Sequence, residues 1–141
     1  MKNKDAILGK ISNIRKCLDS IQRATNLSPD SLIDQFTQDV FVLNLERATQ
    51  ASIDIANLMI AQGGFELPRS YRHAFGILAD NLIISVGIAE KMKRMAGFRN
   101  IAIHNYAQLD LKILQSILTK NLIDIEDYIV AIHQHIVLPQ G

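Results

Sequence analysis

The sequence predicts an all-α protein folded as an up-and-down bundle of four to five main helices that run antiparallel. Three observations support this prediction. Apolar residues recur at three- and four-residue intervals along most of the 141 residues, which is the spacing of one helix face. No segment of useful length alternates apolar and polar residues in the manner of a half-buried strand. With three prolines and seven glycines, turn signals are few, so short loops should place neighbouring helices side by side.

The first half of the chain is expected to contain a helix, a short element and a long helix. The apolar stripe of the first helix consists of Ile7, Ile11, Ile14, Leu18 and Ile21. Ser28 and Pro29 suit the cap and the first position of the short element. The long helix should end at Gly63 and Gly64, because glycine tolerates the left-handed conformation that terminates helices. Its predicted buried stripe consists of Phe41, Leu45, Ala48, Ser52, Ile55 and Met59.

The second half is expected to contain a short helix and two longer ones. Ser70 is a suitable cap for the short helix, which should end near Ala79. Gly97 should weaken the next helix shortly before its end, and Asp110 can cap the last one. The predicted stripe of the helix that contains Gly97 is Ile84, Ile88, Met92 and Met95. The predicted stripe of the last helix is Leu111, Leu114, Leu118, Ile125, Ile129 and Ile132.

The composition fits one globular domain over residues 1–141, with 48% hydrophobic and 21% charged residues. No apolar run is long enough to cross a bilayer, and the polar residues 1–5 are unlike a signal peptide. Cys17 is the single cysteine, so no internal disulfide can form, which agrees with a reducing compartment. These features predict a cytoplasmic protein without a membrane partner.

The charge distribution is more informative than the net charge of +1. The segment 91–109 contains no Asp or Glu, and Arg72 would add to its positive charge if the fold brought it near. The basic residues of that segment are Lys91, Lys93, Arg94, Arg99 and His104. One interpretation is a solvated helix face. The other is an RNA-binding surface, for which the candidates are Lys91, Lys93, Arg94 and Arg72.

Arg99 and His104 together provide the groups for cleavage of a phosphodiester bond. Histidine exchanges protons near neutral pH, and arginine presents a planar, permanently charged fork that matches phosphate. The histidine can activate a ribose 2′-hydroxyl while the arginine stabilises charge on the phosphorane, and this route requires no metal or cofactor. On a regular helix the two residues lie about 140° apart, and a departure from helix after Gly97 could bring them closer. As a bare pattern the pair is weak, and the alternative is a surface arginine and a hydrogen-bonded histidine.

Other polar residues give no second site. His133 and His135 are two positions apart, so on a helix they do not face each other and are poor co-ligands; no metal site is predicted. His73 is expected to be a surface histidine, and Cys17 a small packing residue. Glycine-rich phosphate loops of the P-loop type are absent.

A longer stretch of sequence resembles the HEPN superfamily, and within it the HepT-like toxins. Arg99, Asn100, His104 and Tyr106 match the R-x4-H-x-Y signature of that family, including the small polar residue directly after the arginine. The flanking segments match as well, namely 67–75, 95–100, Glu46 and 51–56. The similarity covers nearly the whole chain in order.

The resemblance implies a helical bundle that acts as a homodimer and cleaves RNA as a metal-independent endoribonuclease. It also implies a partner, an antitoxin of the minimal nucleotidyltransferase (MNT) class that silences the toxin by adenylylation. Carried onto this chain, His104 is the acid/base group, Arg99 binds the phosphate and the transition state, Asn100 is a positioning residue, and Tyr106 is the modification target. Glu46 and Asp54 are candidates, by resemblance alone, for the acidic residue that orients His104.

Two other classes of function remain compatible with the sequence. The first is a non-catalytic helical module that binds RNA, a nucleotide or a partner protein through the basic surface. The second is a purely structural helical adaptor, in which Arg99, His104 and Tyr106 would be freely replaceable.

Overall fold

The computed structural model describes residues 2–104 and 109–138, with the helix backbone only at Ile103 and His104. These residues form helices joined by loops and contain no strand, and the predicted all-α helical bundle is confirmed. A 3-10 turn, Pro29–Ile33, joins the first two helices, and a π-helical turn, Ile117–Asn121, joins the last two. The α-helices are α1 (Lys4–Thr25), α2 (Gln35–Gly63), α3 (Tyr71–Asp80), α4 (Val86–His104), α5 (Leu111–Ser116) and α6 (Leu122–Val137).

The predicted stripes form the core of the bundle. α1 packs along α2, α3 packs on α2 and α4, and α6 contacts α1, α2 and α4. At the centre, the fully buried ring of Tyr128 packs edge-on against Phe75 with centroids 5.6 Å apart, and its hydroxyl donates to the carbonyl of Ser52 at 2.9 Å. Three stripe residues, Leu18, Ile88 and Leu111, are only partly buried.

Side-chain caps fix where the helices begin. Ser70 Oγ accepts from the backbone N–H of His73 at 3.0 Å, and Asp110 Oδ1 accepts from that of Lys112 at 2.8 Å, as the sequence predicts. The long helix α2 starts at a cap that was not predicted, where Asp34 Oδ2 accepts from the N–H of Thr37. α2 ends as expected, because Gly64 adopts a left-handed φ of 66° that glycine tolerates.

The expected weak point at Gly97 is not a break, since α4 continues through it to His104. Met95, Ala96 and Phe98 around it are buried in the core, and this tertiary packing outweighs the cost of about 1 kcal/mol for glycine within a helix. A Cβ atom at Gly97 would have no neighbour within 4 Å, so no close approach requires the glycine there. The separation of Arg99 and His104 therefore remains that of a regular helix, about 140°.

The last predicted helix is divided by the π-helical turn, which hydrophobic spacing does not reveal. Leu114, Leu118, Ile125, Ile129 and Ile132 are buried nonetheless, because the turn keeps the same face toward the core. Among the described residues, no helix combines the length and the apolarity needed to span a membrane.

Candidate functional site

Arg99 is held between α4 and the first residue of α3. Its guanidinium carbon lies 5.3 Å from the ring centroid of Tyr71, a geometry in which the cation is attracted by the face of the ring. Arg99 is half-buried, and its Nε is a buried donor without a hydrogen-bond partner among the described residues. Unpaired buried donors are costly and uncommon, so this Nε needs an acceptor that the described residues do not supply.

A cavity of about 380 Å³ lies beside this pair and is called the α3–α4 cavity. It is lined by Arg69, Ser70, Tyr71, Arg72, Ala96 and Asn100. Two arginines therefore border it, together with the N-terminal end of α3, whose dipole also favours an anion. Asn100, predicted as a positioning residue, is exposed in this cavity next to the side chain on which Arg99 stacks.

The remaining motif residues are described only in part. His104 occupies the last position of α4, and the prediction for its side chain falls outside the described residues. Tyr106, the predicted modification target, also lies outside them. The structure therefore places the Arg99 end of the motif, and the backbone fixes His104 five positions further along the same helix.

A second cavity, of about 490 Å³, runs between α4 and the segment formed by α5, the π-helical turn and α6, and is called the α4–α6 groove. Three of the four predicted RNA-binding residues line it, namely Arg72, Lys91 and Arg94. Arg72 also lines the α3–α4 cavity, so the two cavities share a basic residue and together form a positively charged path beside α4.

Lys93, the fourth predicted RNA-binding residue, is placed elsewhere. Its side chain is 25% exposed and pairs with Glu90 at 3.0 Å, and its Nζ lies against Gly76 of α3. It does not line the α4–α6 groove. The prediction grouped Lys93 with Lys91 and Arg94 because the three residues are close in the chain. Successive positions on a helix face different directions, so residues close in the chain need not line the same groove.

Asp124 is a buried carboxylate that sequence analysis did not select. It is 5% exposed, accepts from Asn121 Nδ2 at 3.1 Å, and lies 3.8 Å from Lys91 Nζ across the α4–α6 groove. The sequence did indicate that Asp124 lies near the core, because it adjoins Ile125 of the buried stripe and precedes Tyr128 by four positions. A charged residue at the core face of a helix is uncommon without a partner or a role.

Comparison with known proteins places this geometry in a family. The family model described as "Ribonuclease HepT-like" matches residues 14–132, a range that includes both cavities and the motif. The chain belongs to the HepT-like ribonuclease family. The resemblance to the HepT-like family is thereby confirmed, and the roles of Arg99, Asn100, His104 and Tyr106 stay predictions.

The HepT-like relatives include proteins from toxin–antitoxin pairs. The mRNA nuclease HepT of Shewanella oneidensis is 37% identical over 125 residues, which are 89% of this chain and 94% of that protein. A crystal structure of a toxin–antitoxin with AMP-PNP matches with a TM-score of 0.85 and 36% identity, over 92% of this chain and 98% of that one. The tri-AMPylated HEPN toxin of Shewanella oneidensis in complex with its MNT antitoxin also matches at 0.85 and 36%, over 92% and 97%.

Within the HepT-like fold, Glu46 and Asp54 lie away from the two cavities beside α4. Asp54 pairs with Lys10 at 3.2 Å and accepts from Gln50 at 2.8 Å, between α1 and α2. Glu46 borders a different cavity on α2, with Asp39, Val42 and Leu43. The role of either carboxylate in orienting His104 stays a prediction.

His73 has a structural place in this HepT-like chain. Its Nδ1 accepts from the backbone N–H of Arg69 at 2.9 Å, and its Nε2 lies 3.5 Å from Glu66. It thereby holds the loop that carries Arg69 against the start of α3. Cys17 is half-buried between α1 and α2, where burial raises the pKa of its thiol and nearby Arg47 partly offsets the shift.

Proposed function

We propose that this chain is the toxin of a toxin–antitoxin pair and acts as a metal-independent endoribonuclease. The observation that supports this proposal best is the Arg99 guanidinium, stacked on Tyr71 with a buried Nε that has no hydrogen-bond partner among the described residues, beside a cavity lined by Arg69 and Arg72. Such an arrangement suits a phosphate. The family match and the mRNA nuclease among its relatives support RNA as the substrate class.

The proposed chemistry is transesterification within the RNA backbone. His104 removes the proton from the 2′-hydroxyl, and that oxygen attacks the adjacent phosphorus while Arg99 stabilises the charge of the phosphorane. The bond to the 5′-oxygen then breaks, and protonated His104 returns the proton to this leaving group. The products are a 2′,3′-cyclic phosphate and a 5′-hydroxyl, so neither a metal nor a cofactor is consumed or required. Asn100 positions the phosphate from the α3–α4 cavity.

Regulation by covalent modification is part of the proposal. An MNT-type antitoxin transfers AMP from ATP to Tyr106, as the AMPylated HEPN toxin of Shewanella oneidensis suggests by analogy. The AMP adds bulk and negative charge two residues from His104, which blocks the site and repels the RNA backbone. The whole chain acts as one domain, as a homodimer and in the cytoplasm.

The decisive experiment compares purified wild type with His104→Ala and Arg99→Ala on total cellular RNA in excess EDTA, with the new ends mapped. Cleavage by wild type alone, leaving 2′,3′-cyclic phosphates, is the expected result. Arg23→Ala, on the exposed side of α1, is the matched arginine control and should cleave normally. If unmodified wild type leaves RNA intact, the proposal is wrong and the non-catalytic binding module becomes the better description.

A further inference from the structure

The α4–α6 groove combines a basic rim with apolar walls, which a site for phosphate alone does not need. Ile101 of α4 and Ile113 of α5 line it while 49% and 54% exposed. Phe98 and Ile117 lie deeper and are nearly buried. Ligand sites are typically concave and mostly apolar, with a few polar groups that fix orientation. Walls of this kind suit a flat, partly apolar ring, and the rim suits a phosphate attached to it.

The polar groups within the groove are Asp124, Asn121 and Lys91. The Asp124 side chain is only 6% exposed, and among the described residues its one short side-chain hydrogen bond comes from Asn121. Lys91 Nζ lies 3.8 Å away, beyond the roughly 2.7–2.9 Å of a charge-assisted hydrogen bond. A carboxylate offers about four lone-pair positions, so Asp124 keeps acceptor capacity directed at the groove. Lys91 keeps donors free for a ligand.

We infer that the α4–α6 groove is a nucleobase subsite selective for guanine. The Watson–Crick edge of guanine presents one acceptor, O6, followed by two parallel donors, N1–H and N2–H. Lys91 can donate to O6 while both oxygens of Asp124 accept from the two donors. Adenine presents one donor beside one acceptor, cytosine one donor beside two acceptors, and uracil one donor between two acceptors, so each satisfies fewer of these groups. A wrong base would shield the carboxylate of Asp124 from water without supplying the two donors that guanine offers, which costs binding free energy.

The groove is also correctly placed to select the cleavage site. Ile101 of its wall precedes His104 by three residues on α4, about 4.5 Å along the helix axis. Arg72 lines both the groove and the α3–α4 cavity, so the phosphate of a nucleotide bound in the groove lies on the way to Arg99. This inference rests on the proposed ribonuclease function and adds the recognition of a base to it.

The first test measures binding of GMP, AMP, CMP and UMP to the full-length protein by calorimetry. Wild type should bind GMP about tenfold more tightly than the other three, the order of discrimination that one bidentate base contact provides. Asp124→Asn should lose this preference. Asp127→Asn, an exposed aspartate one turn further along α6 and outside the groove, should keep it. Equal affinity for the four nucleotides, or an unchanged preference in Asp124→Asn, would overturn the inference.

The second test maps cleavage of a random-sequence RNA pool. Wild type should cut at positions defined by a guanine, and Asp124→Asn should cut with that preference reduced about tenfold. Since Asp124 is buried and its replacement could impair folding, Ile113→Glu, on the exposed wall, serves as a second variant. It should keep the helical CD signal and the melting temperature while it repels the nucleotide and weakens GMP binding. An Ile113→Glu protein that binds GMP as wild type does would count against the groove.

The two tests separate this inference from the proposed function. If wild type prefers GMP but leaves RNA uncut, the base subsite stands and the ribonuclease proposal is wrong. If wild type cleaves RNA and Asp124→Asn cuts at the same positions with the same preference, the ribonuclease proposal stands and the base subsite is wrong.

Discussion

The Arg99 guanidinium lies over the ring of Tyr71, with its carbon 5.3 Å from the ring centroid. The contact joins the motif helix α4 to the first residue of α3 and fixes the orientation of a side chain that otherwise has many rotamers. Its buried Nε has no partner among the described residues, and the stacking on Tyr71 is the ring contact that those residues give the guanidinium.

Tyr71 should therefore act as a positioning residue for Arg99. Tyr71→Leu is expected to lower kcat/KM for RNA cleavage about two- to fivefold, which corresponds to about 0.5–1 kcal/mol for a partly exposed cation–π contact. Tyr71→Phe keeps the ring and should remain within a factor of two of wild type. The measurement is initial-rate cleavage of a defined RNA. Equal losses in both variants would show that the hydroxyl, rather than the ring, matters.

Lys91 and Lys93 provide a matched pair for RNA binding. Lys91 lines the α4–α6 groove, whereas Lys93 pairs with Glu90 and packs on α3. Lys91→Ala should weaken RNA binding and reduce the slope of log K against log salt by up to about 0.7 for single-stranded RNA, since a positive charge beside the RNA backbone is lost together with the contact to the base. Lys93→Ala should leave the slope unchanged. Titrations over a range of salt concentrations measure both. Identical slopes for the two variants would place the RNA path elsewhere.

Tyr106 should be the residue that receives AMP. Co-expression of the chain with a cognate MNT-type nucleotidyltransferase is expected to raise the intact mass by one or more AMP units and to abolish RNA cleavage. Tyr106→Phe should show no mass increase and stay active in the presence of the partner. Tyr71→Phe controls for a second accessible tyrosine, because Tyr71 is 42% exposed. If Tyr106→Phe gains the same mass, the modification is on another residue.

Tyr128 should make the fold sensitive to alkaline pH. Burial raises the pKa of its hydroxyl far above the ordinary value of about 10, so only the unfolded chain can release this proton near pH 10. The contribution of Tyr128 to the free energy of unfolding is therefore fully retained below about pH 10 and falls as the pH rises further. Tyr128→Phe should remove this part of the decline. It should also cost about 1 kcal/mol at neutral pH, since the bond to the Ser52 carbonyl is lost.

Urea unfolding at pH 7 and at several pH values above 9 measures both effects of Tyr128. The surface variant Tyr71→Phe is again the control and should keep the neutral-pH stability of wild type. If the stability of Tyr128→Phe falls at alkaline pH as much as that of wild type does, other groups cause the fall. One such group is the half-buried thiol of Cys17, whose pKa is also raised.

The sequence predicted those features that depend on local chemistry. The caps at Ser70 and Asp110 and the stop at Gly64 depend on residues within one turn of each helix end, so neighbouring residues were sufficient to find them. The apolar stripes depend on the 3.6-residue period alone. The motif at Arg99 was found by resemblance, because its spacing by itself was weak.

The features that were missed depend on packing between helices. The helix runs through Gly97 because its buried neighbours bind it to the bundle, which propensity cannot anticipate. The position of Lys93 beside Gly76 of α3 depends on packing between helices, which spacing along the chain does not reveal. Asp124 meets Lys91 only after α4 and α6 are brought together. Because Lys91 and Asp124 are 33 positions apart in the chain, the local sequence does not indicate that they lie close together.

Gly97 lowers the stability of α4 but leaves the α4–α6 groove more open. The glycine lines the α4–α6 groove, and an added methyl group would touch nothing within 4 Å, so alanine would fit and would strengthen α4 by about 1 kcal/mol. With glycine at this position, α4 lacks that added stability, and backbone without a side chain lines the groove. The absence of a side chain at position 97 leaves more open volume in the groove for a bound ligand than an alanine would.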